Sequence, residues 1–598
     1  MLKSHFALSC IAALAVAACG GGAATSTGSG GTTPAGSDPG GSSQGSSPSF
    51  YLPFVATSSN GGETGLFVVP SDNLAATPVF VTQTPSSAQS MAVLALSKEL
   101  APNNSNVVTS SSPYALLYTA TGSDGNAHVY ALNLSDVAVA PAATQVSSLS
   151  LSSVADICSI LGSAQTEVSD PTTLFVVLHT NAGGQSNCGS GGDVYQVIHY
   201  ADSATTAPTV VDITTSMPAL GASAPPYGLV PLYQTSGALG GMVLLNSTTG
   251  DLDFYSDDTF TNPTVLAAGV TSWSDIVDDS AVDNTGGVGA TTAFLSVTTS
   301  NGTSLWRVTS SGTASTIYSA SGSLQGVADQ SNVYFTDTVL LSGQKIYQEA
   351  ISGGTPAELY GTTVSGLTIP PQYRLVGSNG TVLVLTTSTL STSGNAAMLV
   401  ATLPVGTPAT PTNIAGPFSG IMTAALCPAT FGDVTSDDLL LNVTLGASNG
   451  STATTTYSTE VLTPAGAVKQ AILTDSTFAL LPGCGNGFGS VLQISGITDT
   501  GGGYGGGTVS ALNLSSFSTT PLSTTSGNGS YTIPSGDTLS VAFLSDTIGL
   551  GAVFPQAGRV AGGIGVDLSK DLIVPVSVPY SDVTFLPPGS IEDIAQSL

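Results

Sequence analysis

The sequence predicts an all-β protein, and three features of the chain support this fold class. From Phe50 onward, almost every apolar run is short, alternates with polar residues and is rich in Val, Leu, Ile, Tyr or Thr. Gly, Asn, Asp and Ser separate these runs, which is typical of strands joined by hairpin turns. Apolar residues at helical spacing are scarce, and only residues 88–96 and 591–598 are candidates for short helices.

The charge of the chain is low and strongly acidic. Its 598 residues include 8 Lys and Arg against 37 Asp and Glu, which gives a formal net charge of −29. Charged residues make up 8% of the sequence, whereas an average soluble domain has about 25%. Nucleic acids and anionic membrane surfaces bind clustered Lys and Arg, so both are poor partners for this chain. The hydrophobic content of 41% is sufficient to build cores.

The N-terminus has the pattern of a secretory signal peptide, predicted over residues 1–18. Lys3 supplies a positive charge, residues 6–16 form the apolar region, and small residues precede Cys19. The tetrapeptide VAAC that ends at Cys19 resembles the lipobox of bacterial lipoproteins. That resemblance implies that Cys19 is acylated, with palmitate-type chains, and becomes the mature N-terminus. Gly20 in place of an aspartate then favours the outer membrane. An ordinary signal peptide with a coincidental cysteine is the alternative.

A flexible linker is predicted to follow the anchor. Residues 19–48 are almost entirely Gly, Ser, Thr, Ala and Pro, a composition that behaves as a random coil. At about 5–6 Å times the square root of the length, this linker holds the folded part about 30 Å from the lipid. The folded domain is predicted over residues 49–598.

One unit recurs along this domain. A strand leads through a polar turn into a second strand with an aromatic or aliphatic pair near its start, and a loop and a short third strand follow. The copies are spaced by roughly 40 to 65 residues, which fits units of four strands. Nine copies are recognisable, with strands that begin at Gly65, His128, Asp193, Asp251, Ser304, Lys345, Ala397, Ser458 and Gly507.

The clearest copy spans the strand Val333-Tyr334-Phe335-Thr336-Asp337, the strand Lys345-Ile346-Tyr347 and the turn Ile351-Ser352-Gly353-Gly354. It resembles the repeat of YWTD-type β-propellers, although Phe335 replaces the usual Trp and Gln348 replaces the usual Arg. The resemblance implies a single β-propeller, and a folded part of about 550 residues is expected to make about seven or eight four-stranded blades, with nine as the alternative. Ring closure would remove exposed sheet edges. A string of immunoglobulin-like sandwiches and a parallel β-helix are the alternatives.

Four cysteines remain in the mature domain: Cys158, Cys188, Cys427 and Cys484. An exported protein meets an oxidising compartment, so they are expected to form disulfides. Proximity in sequence favours Cys158–Cys188 and Cys427–Cys484 among the three possible pairings. Metal binding is disfavoured, because the chain has no C-x-x-C pair and few histidines.

Catalytic candidates are few. His128, His179 and His199 are the histidines of the mature chain, and no serine lies in a convincing nucleophile elbow. The densest acidic segment contains Asp275, Asp278, Asp279 and Asp283, which we expect to be the best candidate for Ca²⁺ or another divalent cation. Turns also attract aspartate, so a solvated turn is the simpler interpretation. No other cofactor is expected.

Three functional hypotheses follow. The first is a non-enzymatic lipoprotein of the outer membrane, facing the periplasm or the cell surface, that serves as a binding or scaffold module for a protein or a glycan. Loops rich in Ser, Thr, Asn and Tyr can hydrogen-bond such ligands without charged groups. The second is a hydrolase or lactonase-type propeller that uses aspartates and a divalent cation. The third is a structural subunit of a surface layer or filament.

Overall fold

The computed structural model describes thirty segments of the chain, and all structural statements refer to them. They are residues 51–57, 64–84, 91–94, 115–121, 127–133, 143–145, 157–165, 173–180, 194–201, 209–212, 230–236, 238–246, 249–256, 260–276, 291–329, 331–339, 342–362, 371–390, 396–426, 438–445, 456–474, 490–495, 498–499, 504–505, 507–524, 530–534, 537–543, 548–554, 562–576 and 581–585.

These segments contain only strands, isolated bridges, turns and bends, which confirms the all-β prediction. The helix predicted over residues 88–96 is wrong, because Met91–Leu94 is a strand that pairs with Ala115–Thr121. Four apolar residues in a row fit a buried strand as well as a helical turn, and pairing with the neighbouring strand decides between them. The second predicted helix, 591–598, lies outside the described residues. None of the described elements is a helix of the length and apolarity needed to cross a membrane.

Forty-two strands pair within ten antiparallel four-stranded sheets and one two-stranded ladder. We number the sheets 1 to 10 along the chain. Sheet 1 consists of the first three strands and the last one: β1 (Tyr51–Thr57), β2 (Thr64–Pro70), β3 (Val79–Thr84) and β42 (Ser581–Phe585). Sheet 2 consists of β4 (Met91–Leu94), β5 (Ala115–Thr121), β6 (Ala127–Asn133) and β7 (Ala143–Gln145). Sheet 3 consists of β8 (Ile157–Gln165), β9 (Thr173–Thr180), β10 (Val194–Ala201) and β11 (Thr209–Asp212).

The central sheets follow the same meander, in which each strand pairs with the next along the chain. Sheet 4 contains β12 (Val230–Tyr233), β13 (Leu239–Asn246), β14 (Asp251–Tyr255) and β15 (Thr264–Ala267). Sheet 5 contains β16 (Val270–Asp275), β17 (Thr292–Thr299), β18 (Gly302–Thr309) and β19 (Ala314–Ser319). Sheet 6 contains β20 (Ser323–Ala328), β21 (Asn332–Val339), β22 (Gly343–Ala350) and β23 (Ala357–Gly361). Sheet 7 contains β24 (Tyr373–Ser378), β25 (Val382–Leu390), β26 (Ala396–Pro404) and β27 (Thr412–Phe418).

The last sheets include one irregular unit. Sheet 8 contains β28 (Gly420–Leu426), β29 (Leu439–Leu445), β30 (Thr456–Leu462) and β31 (Val468–Thr474). A short ladder of β33 (Thr498–Asp499) and β34 (Tyr504–Gly505) interrupts sheet 9, which contains β32 (Ser490–Ser495), β35 (Gly507–Asn513), β36 (Ser518–Pro521) and β37 (Thr532–Ile533). Sheet 10 contains β38 (Thr538–Phe543), β39 (Ile548–Phe554), β40 (Gly562–Asp567) and β41 (Leu572–Val576).

The two ends of the described chain meet in sheet 1. Strand β42 pairs antiparallel with β1, with Phe585 opposite Phe54 and Ser581 opposite Thr57. The C-terminal strand therefore completes a sheet whose other three strands come from the N-terminal end, and it also contacts β39 and β40 of sheet 10. This arrangement closes the series of sheets into a ring, which is how a β-propeller avoids open ends.

The first strands of the sheets lie at the centre of this ring. Strand β4 contacts β8, β8 contacts β12, β20 contacts β24, and β24 contacts β28. The protein is thus a β-propeller. The described strands form ten four-stranded sheets, compared with the seven or eight blades expected from the sequence. The nine recognised repeats fall on β2, β6, β10, β14, β18, β22, β26, β30 and β35. Sheet 10 has no recognised copy, because β40 has the sequence GGIGVD and lacks the aromatic or large aliphatic pair.

The hydrophobic core is divided into layers between neighbouring sheets. Successive residues of a strand point to opposite faces, and both faces of the inner strands are covered, so β21 alternates between two layers. Phe335 packs in the layer between sheets 5 and 6, whereas Tyr334 packs in the layer between sheets 6 and 7. Similar layers join sheets 4 and 5, sheets 7 and 8, and sheets 9 and 10.

Candidate functional site

The exposed side chains of the central strands form the first candidate site. On β16, Thr271, Ser272 and Ser274 are exposed, and on β24 Arg374 is exposed. Both are the first strands of their sheets, and β24 contacts β20 and β28 at the centre of the ring, so we assign their exposed side chains to the wall of the central channel. Thr271 Oγ1 donates to the carbonyl oxygen of Thr298 at 3.2 Å, which fixes its side chain against β17. The exposed side chains of the described first strands of sheets 5 to 7 are thus hydroxyls and a single guanidinium, and the half-exposed Asp275 ends β16.

Hydroxyl clusters also occur at hairpin ends of sheet 5. Thr309 Oγ1 lies 2.9 Å from Ser311 Oγ, which lies 3.0 Å from Thr313 Oγ1. At the opposite hairpin, Thr298 Oγ1 and Thr303 Oγ1 are 3.0 Å apart. A hydroxyl both donates and accepts, so such clusters can hydrogen-bond a neutral polar ligand in either direction.

The aspartate of the YFTD segment joins sheets 5 and 6. The Asp337 carboxylate is 4% exposed and accepts hydrogen bonds from the amides of Ser321 and Gly322, at 3.0 and 2.7 Å, in the connection that enters sheet 6. It also accepts one from the Tyr318 hydroxyl of sheet 5 at 2.8 Å. Burial, with the neighbouring Tyr347 and Asp337, raises the pKa of Tyr318 well above its ordinary value, so its hydroxyl stays protonated and donates. Asp337 thus has a structural role.

A second pair of ionisable groups lies in the same layer. Arg307 of β18 and Glu349 of β22 face each other between sheets 5 and 6, and their charges interact. Glu349 is 2% exposed, and neither of its carboxylate oxygens has a hydrogen-bond partner. Arg307 Nε is also buried and unpartnered. Burial raises the pKa of Glu349 to about 7, although Arg307 and the nearby Gly354 amide act in the opposite direction.

The layer between sheets 6 and 7 is held instead by two neutral side-chain amides and one hydrogen-bonded carboxylate. The Gln344 side-chain amide accepts from the Tyr373 backbone amide and donates to the Tyr373 carbonyl oxygen, both at 2.7 Å. Gln348, the residue that replaces the usual Arg, accepts from the Gly406 amide at 2.9 Å. Asp329 accepts from the hydroxyls of Tyr334 at 2.6 Å and Ser378 at 3.0 Å.

Two further buried aspartates have lysine partners. Asp438 lies at the start of β29 and is 2.6 Å from Lys469 Nζ of β31. Asp567, at the end of β40, is 2.8 Å from Lys570 Nζ and accepts from the Ser569 amide at 3.0 Å. These acids fasten strands and turns within their sheets.

Only one of the four residues of the proposed metal site lies within the described part of the chain. Asp275 is at the end of β16, opposite Leu295, whereas Asp278, Asp279 and Asp283 lie outside the described residues. Within the described segments, no three His, Cys, Asp or Glu side chains are grouped as a metal site would require. Cys158 lies in β8. The other three cysteines and the proposed lipid anchor Cys19 lie outside, so the disulfide and lipidation predictions stay predictions.

The histidines are not brought to one point by the strand register. His128 is in β6 of sheet 2, and the other two are in sheet 3. On the antiparallel pair β9 and β10, His179 is opposite Tyr195 and His199 is opposite Phe175. Four residues of strand separate these positions, which corresponds to about 13 Å along the sheet. This placement gives no support to a shared histidine site in sheet 3.

Sequence reasoning missed the most unusual pair of the described chain. Trp306 lies against the layer between sheets 4 and 5. The next residue, Arg307, is half-buried, and its Nε is fully buried. The alternation of side chains along β18 could have indicated this position of Arg307. Arg307 lies on the same face of the strand as Leu305, which belongs to the layer between sheets 5 and 6. Gln344 gave no comparable signal.

No family model and no curated protein matches the chain. Solved structures of similar fold include a prolyl endopeptidase, with 9% identity and a TM-score of 0.32 over 75% of this chain and 54% of that chain. Prolyl oligopeptidase B from Galerina marginata has 9% identity and a TM-score of 0.32, over 78% of this chain and 55% of that one. An oligogalacturonate lyase in complex with manganese has 9% identity and a TM-score of 0.30, over 58% and 85%. The chain therefore spans about half the length of the peptidases it resembles. At these identities the likeness concerns fold alone.

Proposed function

We propose that the protein is a non-enzymatic binding or scaffold module, and that its ligand-binding surface is the channel side of the first strands. The row of exposed hydroxyls on β16 carries this proposal, together with the exposed Arg374 on β24. The ligand class is a neutral glycan or an extended peptide, since both offer alternating donors and acceptors and need no cluster of opposite charge.

The use of charge elsewhere supports a binding role. Asp337, Asp329 and Asp438 are each engaged by backbone amides, hydroxyls or a lysine. These acids join strands or neighbouring sheets, and among the described residues they are not grouped with other acids around a common point. The surface left for a ligand is consequently rich in hydroxyls.

We further propose that Cys19 carries the lipid and that the linker over residues 19–48 holds the propeller near the outer membrane. This proposal is supported by the sequence VAAC and by the long Gly- and Ser-rich segment that follows it. Several acyl chains, at about 0.8 kcal/mol per buried CH₂, give an anchor that rarely dissociates. Mass spectrometry of the membrane-extracted protein should find acyl chains on Cys19, and an intact Met1 would contradict the proposal.

The binding surface is tested with arrays of neutral oligosaccharides and of extended peptides, using the full-length protein in detergent. The variant Thr271→Val, Ser272→Ala, Ser274→Ala should bind its ligands at least about tenfold more weakly, the effect of roughly 1.4 kcal/mol. The matched control is Ser315→Ala, Thr316→Val, which removes exposed hydroxyls from the outermost strand of the same sheet. Equal losses in both variants, or none in the first, would contradict the assignment of the site.

The alternative of a cation-dependent hydrolase has one observation in its favour, since Asp275 lies on a first strand. A rise of the melting temperature on addition of Ca²⁺ that is absent in Asp275→Asn would favour this alternative. A melting temperature independent of Ca²⁺ in both proteins would favour the binding module.

A further inference from the structure

The layer between sheets 5 and 6 contains a buried acid that the structure does not satisfy. Neither Glu349 oxygen makes a well-formed hydrogen bond, although the backbone amide of Gly354 is near enough to lower the pKa of the carboxyl, and the side chain is 2% exposed. A buried ionised carboxylate without partners is strongly disfavoured. Arg307, the opposite charge in this layer, is not within ion-pair distance, and its own Nε is unpartnered. The two groups are thus held near each other without forming the contact that would stabilise the charged state.

Local geometry explains why the pair does not close. The chain turns after β22, where the Gly353 amide donates to the Ala350 carbonyl oxygen at 2.9 Å, and Gly353 has a φ of +101°. The Arg307 guanidinium lies directly against this turn, so close that a Cβ at Gly353 would overlap its Nη1. The glycine turn therefore covers one side of the Arg307 guanidinium, while β22 holds the Glu349 carboxylate in the apolar layer.

The other ionisable groups of this layer do not replace the missing partner. Tyr318 of β19 donates to Asp337 of β21, and Tyr347 of β22 is next to them. Lys345 and Glu358 lie on the same face of sheet 6 at its exposed edge and pair with each other at 2.9 Å. Asp275 of β16 is opposite Leu295, a residue of the layer between sheets 4 and 5, and so belongs to the other face of sheet 5. Arg307 is the one cation that faces Glu349 among the described residues of these two sheets.

We propose that the junction between sheets 5 and 6 is a pH-dependent latch, closed while Glu349 is protonated and loosened when its carboxylate ionises. Ionisation forces the carboxylate either to recruit water or to move toward Arg307, and both movements disturb the packing of β18 against β22. Acidification closes the junction again, and the rest of the ring keeps its hydrogen bonds throughout.

The raised pKa of Glu349 determines how the stability of the folded protein changes with pH. The ordinary pKa of glutamate is 4.5, and burial in the folded protein raises that of Glu349 to about 7. The contribution of the protonated group to stability is therefore fully present below about pH 4.5 and is lost as the pH rises through about 7. Glu349→Gln, which stays neutral, should be free of this loss.

The test compares the wild-type protein with Glu349→Gln between pH 4 and pH 8. The melting temperatures should be similar at pH 4, and the variant should become the more stable protein as the pH rises from about 4.5 to 7, with little further change up to pH 8. Hydrogen exchange, corrected for the intrinsic pH dependence, should be at least about tenfold faster in β18 and β22 of the wild type than of the variant at pH 8. Glu358→Gln removes the same charge at the exposed edge and should keep the wild-type pH dependence.

A second variant keeps the proposal falsifiable if Glu349→Gln does not fold. The positive charge of Arg307 lowers the pKa of Glu349, so Arg307→Gln should move the midpoint of the pH-dependent exchange to higher pH. A midpoint that does not move, or a gap between wild type and Glu349→Gln that is constant over the whole pH range, would overturn the proposal.

Discussion

Sheet 6 is joined to its two neighbours by different chemistry. Toward sheet 7, the Gln344 amide makes a two-point contact with the backbone of Tyr373, and Asp329 bonds to Ser378. Toward sheet 5, Asp337 bonds to two amides and a hydroxyl, but the neighbouring Glu349 and Arg307 are left with unpartnered atoms. One junction is largely neutral and satisfied, whereas the other contains buried charge that is only partly compensated.

The difference separates two uses of buried polar groups. A clamp whose donors and acceptors are all paired stabilises one arrangement of two sheets and does not respond to pH. A buried acid without partners destabilises the junction when it is ionised, and this makes the junction sensitive to pH. Sheet 6 thus has a fixed side and a responsive side.

The largest expected effect comes from the Asp337 clamp. Asp337→Ala would leave the Ser321 and Gly322 amides and the Tyr318 hydroxyl without their acceptor, and should lower the free energy of unfolding by about 3–4 kcal/mol. Asp337→Asn keeps one acceptor oxygen and should cost about half as much. Urea denaturation measures both. Equal, small losses would show that the junction is held by its aromatic packing and not by this carboxylate.

Removing the contact between Gln344 and Tyr373 should lower the free energy of unfolding by nearly as much, and this loss should not depend on pH. Gln344→Leu leaves the buried amide and carbonyl of Tyr373 unpaired, and we expect a loss of about 2–3 kcal/mol. Between pH 5 and pH 8 this loss should be constant, because no group at the contact titrates in that range. Thermal unfolding across the range checks it, and a loss that changed with pH would contradict the contrast between the two junctions.

The glycine turn at the responsive junction offers a matched pair of substitutions. Gly353→Ala places a Cβ at a φ of +101° and against the Arg307 guanidinium, so a cost of about 1–2 kcal/mol is expected. Gly354→Ala adds the same atom where no heavy atom lies within 4 Å, and its cost should be below about 0.5 kcal/mol. The difference between their melting temperatures reports the combined cost of the positive φ and of the contact with Arg307, and equal values would argue against both.

The sequence predicted the repeating hairpins because their pattern is local. Alternation of apolar residues and the aromatic pair at the start of a strand identified nine of the ten sheets, and the tenth was missed where β40 is rich in glycine. The position of Asp337 within its strand also followed from the pattern that resembles YWTD repeats. The number of sheets was underestimated, because unit length varies with loops that the strand pattern does not measure.

The candidate sites were less predictable, because they depend on contacts between sheets. Arg307 and Glu349 are 42 positions apart in the numbering, and nothing in either strand indicates that the other will face it. Gln344 similarly reaches the backbone of Tyr373, a partner that any residue type would provide. Strand alternation gives the face to which a side chain points, but the neighbour it meets is decided by the packing of two sheets.

The smallest loss of stability is expected at an exposed ion pair that contributes little to either junction. Lys345 and Glu358 join β22 to β23 at 2.9 Å, with side chains that are 46% and 44% exposed. Exposed ion pairs contribute at most about 1 kcal/mol, and salt screens them. Lys345→Ala should therefore cost less than about 1 kcal/mol, with the difference from wild type vanishing at high salt in urea denaturation. A larger loss that persists in salt would mean that the lysine stem supports Tyr347 on the same face, and that the responsive side of sheet 6 extends to its outer edge.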